Sequence, residues 1–452
     1  MEEHVDAVVI GMGPGGEVVA GELAKAGKKV AVVERELIGG ECAYYACIPS
    51  KVVLRSPEVA QEVRNTAGVS NARLNWEETR AYRDDMIRHL DDTKQVTSYQ
   101  NQGVLVYKGE ARIVRPGVVA VGDTQLHADS IIIATGSGAF VPPIDGVDTI
   151  TAWTNRELYT VKDLPGAAII VGGSAVALES ATFLARFGVR VTVLNRGPRL
   201  LSREDPRVGD LAQQHVADAD VTVRLGVEPV SAERDEATGA SVLHLNDGST
   251  VSADVVIFAT GRTPRTGELG VENAGVQLGD HGEIIVDEHC QAATGVWAVG
   301  DVTGIMPYTH VAKYQGRIAA DAILGGQRTA TYEGVPRVVF ADPEIAAVGL
   351  TAQAAREQGI RVVENELDLT AALAKPWLYE QEPHGTLGVI ADADRRTLIG
   401  AWAVGPLASE WIHWAAFAIR THTPIDVLLD QIPQFPTYHE AYLSAIGGLD
   451  LD

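Results

Sequence analysis

Residues 5–16 read Val5-Asp6-Ala7-Val8-Val9-Ile10-Gly11-Met12-Gly13-Pro14-Gly15-Gly16. The apolar run 5–10 predicts a short buried strand, and Gly11–Gly16 fits G-x-G-x-x-G directly behind it. Val18–Ala26 predicts a helix, and Lys29–Val33 a second strand ending at Glu34. Together they make a βαβ unit. Gly11 permits the tight turn, Gly13 lets backbone approach a pyrophosphate, and Gly16 lets helix and strand pack closely. The helix N-terminus then faces phosphate with partial positive charge. Glu34 stands where a carboxylate can accept ribose hydroxyls.

A second unit of the same kind spans Ala167–Leu194. Its turn, Gly172-Gly173-Ser174-Ala175-Val176-Ala177, is less regular, because Ser174 puts a Cβ where backbone should approach phosphate. Its second strand ends Leu194-Asn195-Arg196, with no acid for a 2′-hydroxyl. Arg196, with Arg199 near, suits a 2′-phosphate instead, which favours NADPH over NADH. Each unit is followed by a strand ending Ala-Thr-Gly, at 131–137 and 255–262. Between the units lies a polar, helix-rich stretch, 57–103, then short strands near 104–106, 118–121 and 130–134. The character changes near 334, where a third domain begins. The expected fold is α/β, with two nested Rossmann-like nucleotide-binding domains and a C-terminal α+β domain.

The 452 residues are enough for about three domains. The formal charge of −23 disfavours nucleic acid and anionic membrane surfaces, since both are polyanions. No signal peptide or membrane-spanning apolar run is expected. Three cysteines exclude a structural disulfide framework and point to the cytoplasm.

Two of those cysteines sit in Glu41-Cys42-Ala43-Tyr44-Tyr45-Ala46-Cys47, directly after Gly39-Gly40, with Pro49-Ser50-Lys51 following. No second Cys/His pair stands at ligand spacing, so no metal is expected. A helix start can distort enough to bring Cys42 and Cys47 together, and its N-terminus lowers a thiol pKa. A redox dithiol is weighed here against two unrelated buried cysteines. Cys290 reads as incidental.

In order along the chain, GMGPGG, Glu34, GGECAYYACIPSK, ATGS, GGSAVALE, ATGRTPRT, VWAVGDVTG, YTHVAKYQGRIAADAILG and VVFADPEIAAVGLT resemble the flavin-dependent pyridine nucleotide–disulfide oxidoreductases. That family includes dihydrolipoamide dehydrogenase, glutathione reductase and mercuric reductase. The resemblance implies FAD held by Gly11, Gly13, Gly16, Glu34, Gly40, Lys51, Ala111, Thr135, Gly136, Asp301, His310, Val311 and Ala312. It implies NADPH at Gly172, Gly173, Ser174, Glu179, Asn195, Arg196, Gly261 and Arg262. Lys51 and Glu179 match an ion pair beside the flavin. The helix starting near Tyr308 would face the flavin, with His310 read as a cap or packing residue. Cys47 would be the thiolate against the flavin and Cys42 the exchanging thiol. The resemblance divides the chain into an FAD domain (1–148 and 265–333), a nucleotide domain (149–264) and a homodimerisation domain (334–452).

One segment departs. The family's H-P-T-x-x-E carries an acid–base histidine, whereas this chain reads Phe435-Pro436-Thr437-Tyr438-His439-Glu440. Phe435 cannot move protons, a loss typically of ~10²–10⁴-fold. Glu440 remains, and His439 beside it is the candidate substitute base. The end of the chain lacks the vicinal cysteines of mercuric reductases, Glu41 replaces a threonine and Ala46 a glycine. Tyr44 and Tyr45 either pack or shape a site for a flat acceptor. The expected function is electron transfer from NADPH through FAD and Cys42–Cys47 to a small or protein disulfide. The alternatives are a quinone- or dye-reducing diaphorase without thiol exchange, and a non-catalytic redox sensor.

Overall fold

The strand expected at 5–10 runs over Glu2–Ile10 in a computed structural model that describes Met1–Leu451. Its first residues are polar and carry no strand signal. They join because backbone pairing is indifferent to side chain: Glu2 to Val5 lie in parallel register with Gln125 to Ala128, and His4 stacks on His127 at 4.7 Å. The strand expected at 130–134 is lengthened for the same reason, to Thr124–Ile133.

One compact unit comprises Met1–Pro49, Ala81–Phe140 and Gly261–Thr331. Its main sheet has the order Gln291–Ala293, Val296–Ala298, Thr124–Ile133, Glu2–Ile10, Val30–Glu34, Leu105–Lys108. The central strands are parallel, with Val9 opposite both Val32 and Ile132. Val8 and Val9 are wholly buried on opposite faces, each in its own apolar cluster. Burial on both faces is why this strand reads as a continuous apolar run. The helix Pro14–Lys25 follows the first strand at once. Pro14 stands in its first turn, where a missing N–H costs nothing.

The second unit comprises Ser50–Arg80, Val141–Thr260 and the chain from Tyr332 on. It holds a parallel sheet ordered Thr222–Leu225, Arg190–Asn195, Ala167–Val171, Val255–Phe258, Ala152–Trp153. It also holds a five-stranded antiparallel sheet: Pro336–Val339, Ile345–Gly349, Thr397–Val404, Thr386–Asp392, Val362–Asp368. The helices Ala408–Arg420 and Glu440–Gly447 pack their apolar sides into one cluster with that sheet. These are the two Rossmann-like sheets and the α+β region that the sequence implies. No helix among the described residues is long and apolar enough to cross a membrane.

Candidate active site

The first glycine turn separates structural from ligand-facing positions. Gly11 has φ +93°, and a Cβ on it would lie 2.4 Å from the Ala134 carbonyl oxygen. A Cβ on Gly16 would lie 2.0 Å from the Gly11 carbonyl oxygen. Gly13 differs: its φ is −75°, and a Cβ there would meet nothing within 4 Å. It caps the Pro14–Lys25 helix, and no side chain caps the orphan amides there. Glu34 is buried, with Oε2 accepting from Met12 N and Oε1 from Glu36 N, both at 2.7 Å. Two backbone amides thus orient the carboxylate and leave acceptor capacity for ribose hydroxyls. An open glycine, an uncapped helix N-terminus and a fixed carboxylate fit a dinucleotide such as FAD.

Other expected flavin contacts share this unit. Gly40 has φ +61°, and a Cβ on it would come within 2.8 Å of Gly13 Cα, so the cysteine segment passes against the phosphate turn. Thr135 Oγ1 donates to the Arg265 carbonyl at 2.7 Å, beside Gly136. Asp301 Oδ2 accepts from Ser137 Oγ at 2.6 Å. Val311 and Ala312 are buried in the helix Thr309–Ile323, whose N-cap Tyr308 gives no side-chain cap. His310 is exposed and stacks on Tyr308 at 5.3 Å. Ala111 opens the strand Ala111–Arg115 and pairs with Val121.

The cysteines are brought together by a helix break. The helix Gly40–Tyr44 ends at Tyr45, and a new helix, Cys47–Asn65, begins at Cys47. Thr309 Oγ1 donates to Cys42 Sγ at 3.2 Å and lies 3.3 Å from Cys47 Sγ. A hydrogen bond with Cys47, then burial, pushes the Cys42 thiol well above its usual range. Sequence reasoning missed Thr309. The available signal was its place as first residue of the helix expected to face the flavin.

Glu41 also has a role that its sequence position does not reveal. Its carboxylate pairs with Arg265 at 2.9 Å and Arg262 at 3.6 Å. Arg262 also donates to Ser137 Oγ at 2.6 Å and approaches Asp301 at 3.7 Å. Gly261 and Arg262, expected at the nicotinamide nucleotide, belong to the same unit as the Gly11–Gly16 turn and Glu34.

The second unit supplies the other expected groups. Lys51 Nζ meets Glu179 Oε2 at 2.8 Å, although 128 residues separate them. Glu179 Oε1 accepts from Phe340 N at 3.0 Å, and Lys51 lies 4.6 Å from the Phe340 ring centroid. Gly172, at φ +124°, repeats the constraint on Gly11, since its Cβ would lie 2.4 Å from the Ala259 carbonyl oxygen. Ser174 is the N-cap of the helix Ala175–Arg186, accepting from Ala177 N and donating to the Ala259 carbonyl at 3.0 Å. The serine that loosens the glycine pattern thus earns its place as a cap. A Cβ on Gly173 would strike the Asn195 side chain at 2.8 Å. Asn195 Nδ2 donates to the Arg199 carbonyl at 2.8 Å, shaping the loop that presents an exposed Arg196.

At the C-terminal segment, Phe435 is 75% exposed. Glu440 Oε2 accepts from Thr437 N at 2.9 Å, so that carboxylate braces its own loop. Burial lowers the His439 pKa from its ordinary value. Tyr438 is buried against Trp411 at 5.7 Å.

Comparison with known proteins agrees with this arrangement. Residues 5–316 match the pyridine nucleotide-disulphide oxidoreductase family, and residues 335–446 match its dimerisation domain. The chain is 32% identical to a dihydrolipoyl dehydrogenase of Chlorobaculum parvum, over 97% of this chain and 96% of that protein. It is 28% identical to a mercuric reductase of Bacillus cereus, over 99% of this chain and 72% of the relative. Among solved structures, the HOCl-induced flavoprotein disulfide reductase RclA from Escherichia coli superposes with a TM-score of 0.88. Its identity is 28%, covering 98% of this chain and 99% of that one. With both domains matched, the chain belongs to the pyridine nucleotide-disulphide oxidoreductases, FAD-dependent enzymes akin to dihydrolipoamide dehydrogenase.

Proposed function

We propose that this enzyme carries electrons from NADPH, through FAD, to a Cys42–Cys47 disulfide and on to a disulfide acceptor, small or protein. The observation that carries the reading is the meeting of both sulfurs at Thr309, on the first turn of an uncapped helix. FAD, when bound, supplies the two-electron relay between nicotinamide and disulfide. The chain's own residues do the rest. Glu34 and the Gly11–Gly16 turn bind. Lys51 and Glu179 form an ion pair. Thr309 holds the sulfurs. Cys42 attacks the acceptor disulfide and releases one thiol, then Cys47 displaces the second thiol and restores the pair. An anaerobic NADPH titration of the purified protein, followed by an acceptor screen on the same sample, tests this sequence of events. The dimerisation domain supports a homodimer in which Phe435–Glu440 of one copy completes the dithiol site of the other. The absence of a cysteine-rich framework supports a cytoplasmic setting.

Proton management sets the rate. A thiol held above its usual pKa attacks only after losing its proton, and Phe435 cannot take it. Turnover with lipoamide or glutathione disulfide is expected to be slow. It should rise about tenfold per pH unit between pH 6 and 9, following the thiolate fraction. Phe435→His should raise disulfide turnover at pH 7 by about 10²-fold and flatten that profile. Fast wild-type turnover with a flat profile would mean that another group, His439 foremost, serves as base. A diaphorase reading is favoured by the same residue: quinone or dye reduction should survive Cys42→Ser.

The exposed Arg196 supports NADPH. Its guanidinium would pair with a 2′-phosphate, a charge-assisted contact worth about 1.5–3 kcal/mol. Arg196→Glu should cut kcat/KM for NADPH by about 10–100-fold and spare NADH. Steady-state kinetics with both nucleotides decides it; equal wild-type use of NADH would refute the argument.

A further inference from the structure

We infer that Arg88, acting through Tyr44, is a positioning residue for the dithiol, and that the strained turn Arg88–Leu90 serves to deliver it. This rests on the redox reading of Cys42 and Cys47. Arg88, His89 and Leu90 have φ of 55°, 51° and 58°. Three successive non-glycine residues in the left-handed region persist only where surrounding contacts over-determine them. Here the contacts converge on the cysteine loop.

Tyr44 lies between the two cysteines and is completely buried. Its hydroxyl donates to the Ile38 carbonyl at 3.1 Å and accepts from Arg88 Nη1 at 3.0 Å. The guanidinium carbon lies 5.6 Å from the Tyr44 ring centroid. With its carboxamide oxygen and nitrogen exchanged, Gln95 would accept from Arg88 Nε at 2.9 Å. A second tie lies beside the first: Ile38 N donates to Asp92 Oδ2 at 2.7 Å, and Lys108 Nζ holds the same oxygen at 2.7 Å. The chain entering and containing Cys42 is therefore pinned at Ile38 and Tyr44 to one short segment, Arg88–Asp92.

The pinning has a physical need. The helix Gly40–Tyr44 has five residues and no side-chain cap. A helix that short does not hold itself together. The break at Tyr45 sets the approach of the two sulfurs, so whatever fixes Tyr44 fixes the dithiol.

The test uses the FAD-loaded, full-length protein with Arg88→Ala, Tyr44→Phe, the double variant and Arg88→Lys. Two quantities are read: long-wavelength absorbance after anaerobic NADPH reduction, and the rate of Cys42 alkylation by iodoacetamide in the reduced protein. Arg88→Ala and Tyr44→Phe should each lower the absorbance by about half or more and change the alkylation rate by about tenfold. The double variant should be no worse than the stronger single one, as for two ends of one contact. Arg88→Lys should recover part of both signals. Tyr44→Phe, which removes one oxygen, keeps the test available if Arg88→Ala does not fold. Wild-type values in both single variants would overturn the inference, whatever happens to Tm. If the wild type itself gives no long-wavelength band, the redox reading fails, and the alkylation rates alone decide the clamp.

Discussion

Cys47→Ser is expected to abolish NADPH-driven disulfide reduction, by roughly 10³-fold or more, the scale reached when one member of a reacting unit is removed. The hydrogen bond to Cys47 and burial push the Cys42 thiol above its usual range, and we propose Cys47 as the thiolate of the reduced pair. Thr309 at the first turn of an uncapped helix favours negative charge there. The Cys47 thiolate should then give the long-wavelength absorbance against oxidised flavin. Cys47→Ser should remove that absorbance as well as the turnover. Cys42→Ser should lose disulfide turnover but show the band without any reductant. A Cys47→Ser protein that still reduces disulfides at the wild-type rate would exclude the pair from the reaction.

The second large effect separates two glycines three residues apart. Gly16→Ala places a Cβ 2.0 Å from the Gly11 carbonyl oxygen, which is backbone on the neighbouring strand end and cannot swing away. Overpacking of this kind costs about 1–3 kcal/mol or more, and it pushes the helix N-terminus off the turn that binds phosphate. Gly16→Ala should emerge without FAD and with a lowered Tm. Gly13→Ala meets nothing within 4 Å, and its φ of −75° suits any residue. Its apoprotein should melt like the wild type, yet FAD affinity should fall about 10–100-fold, because the new methyl occupies the phosphate's approach. Thermal melts of the apoproteins and FAD binding titrations read both effects. Equal FAD affinity in Gly13→Ala and the wild type would place the pyrophosphate elsewhere.

Much of this was legible because the decisive signals are local. An apolar run ending in glycine and followed by a helix can hardly be anything but the first βαβ unit, and Cys42 and Cys47 lie five residues apart in one segment. What no local pattern carries is long-range. Glu2–His4 form a strand because Gln125–His127 lie alongside, a fact no local pattern carries. Lys51 and Glu179 are 128 residues apart and were paired only through resemblance. Ser174 reads as a defect in a glycine motif until its capping bond is seen. Arg262 follows an Ala-Thr-Gly run, and its partners Ser137, Glu41 and Asp301 lie far from it in sequence. Arg88 gives no sequence signal at all, because left-handed backbone in a non-glycine residue is imposed by its contacts.

The central claim is that electrons pass through the Cys42–Cys47 pair, and anaerobic NADPH titration followed by visible absorbance tests it most directly. The first equivalent of NADPH should produce a long-wavelength band with the flavin largely oxidised and two titratable thiols newly present. Only further reductant should then bleach the flavin. If the first equivalent bleaches the flavin outright and no thiol appears, the electrons stop at the flavin and the account is wrong.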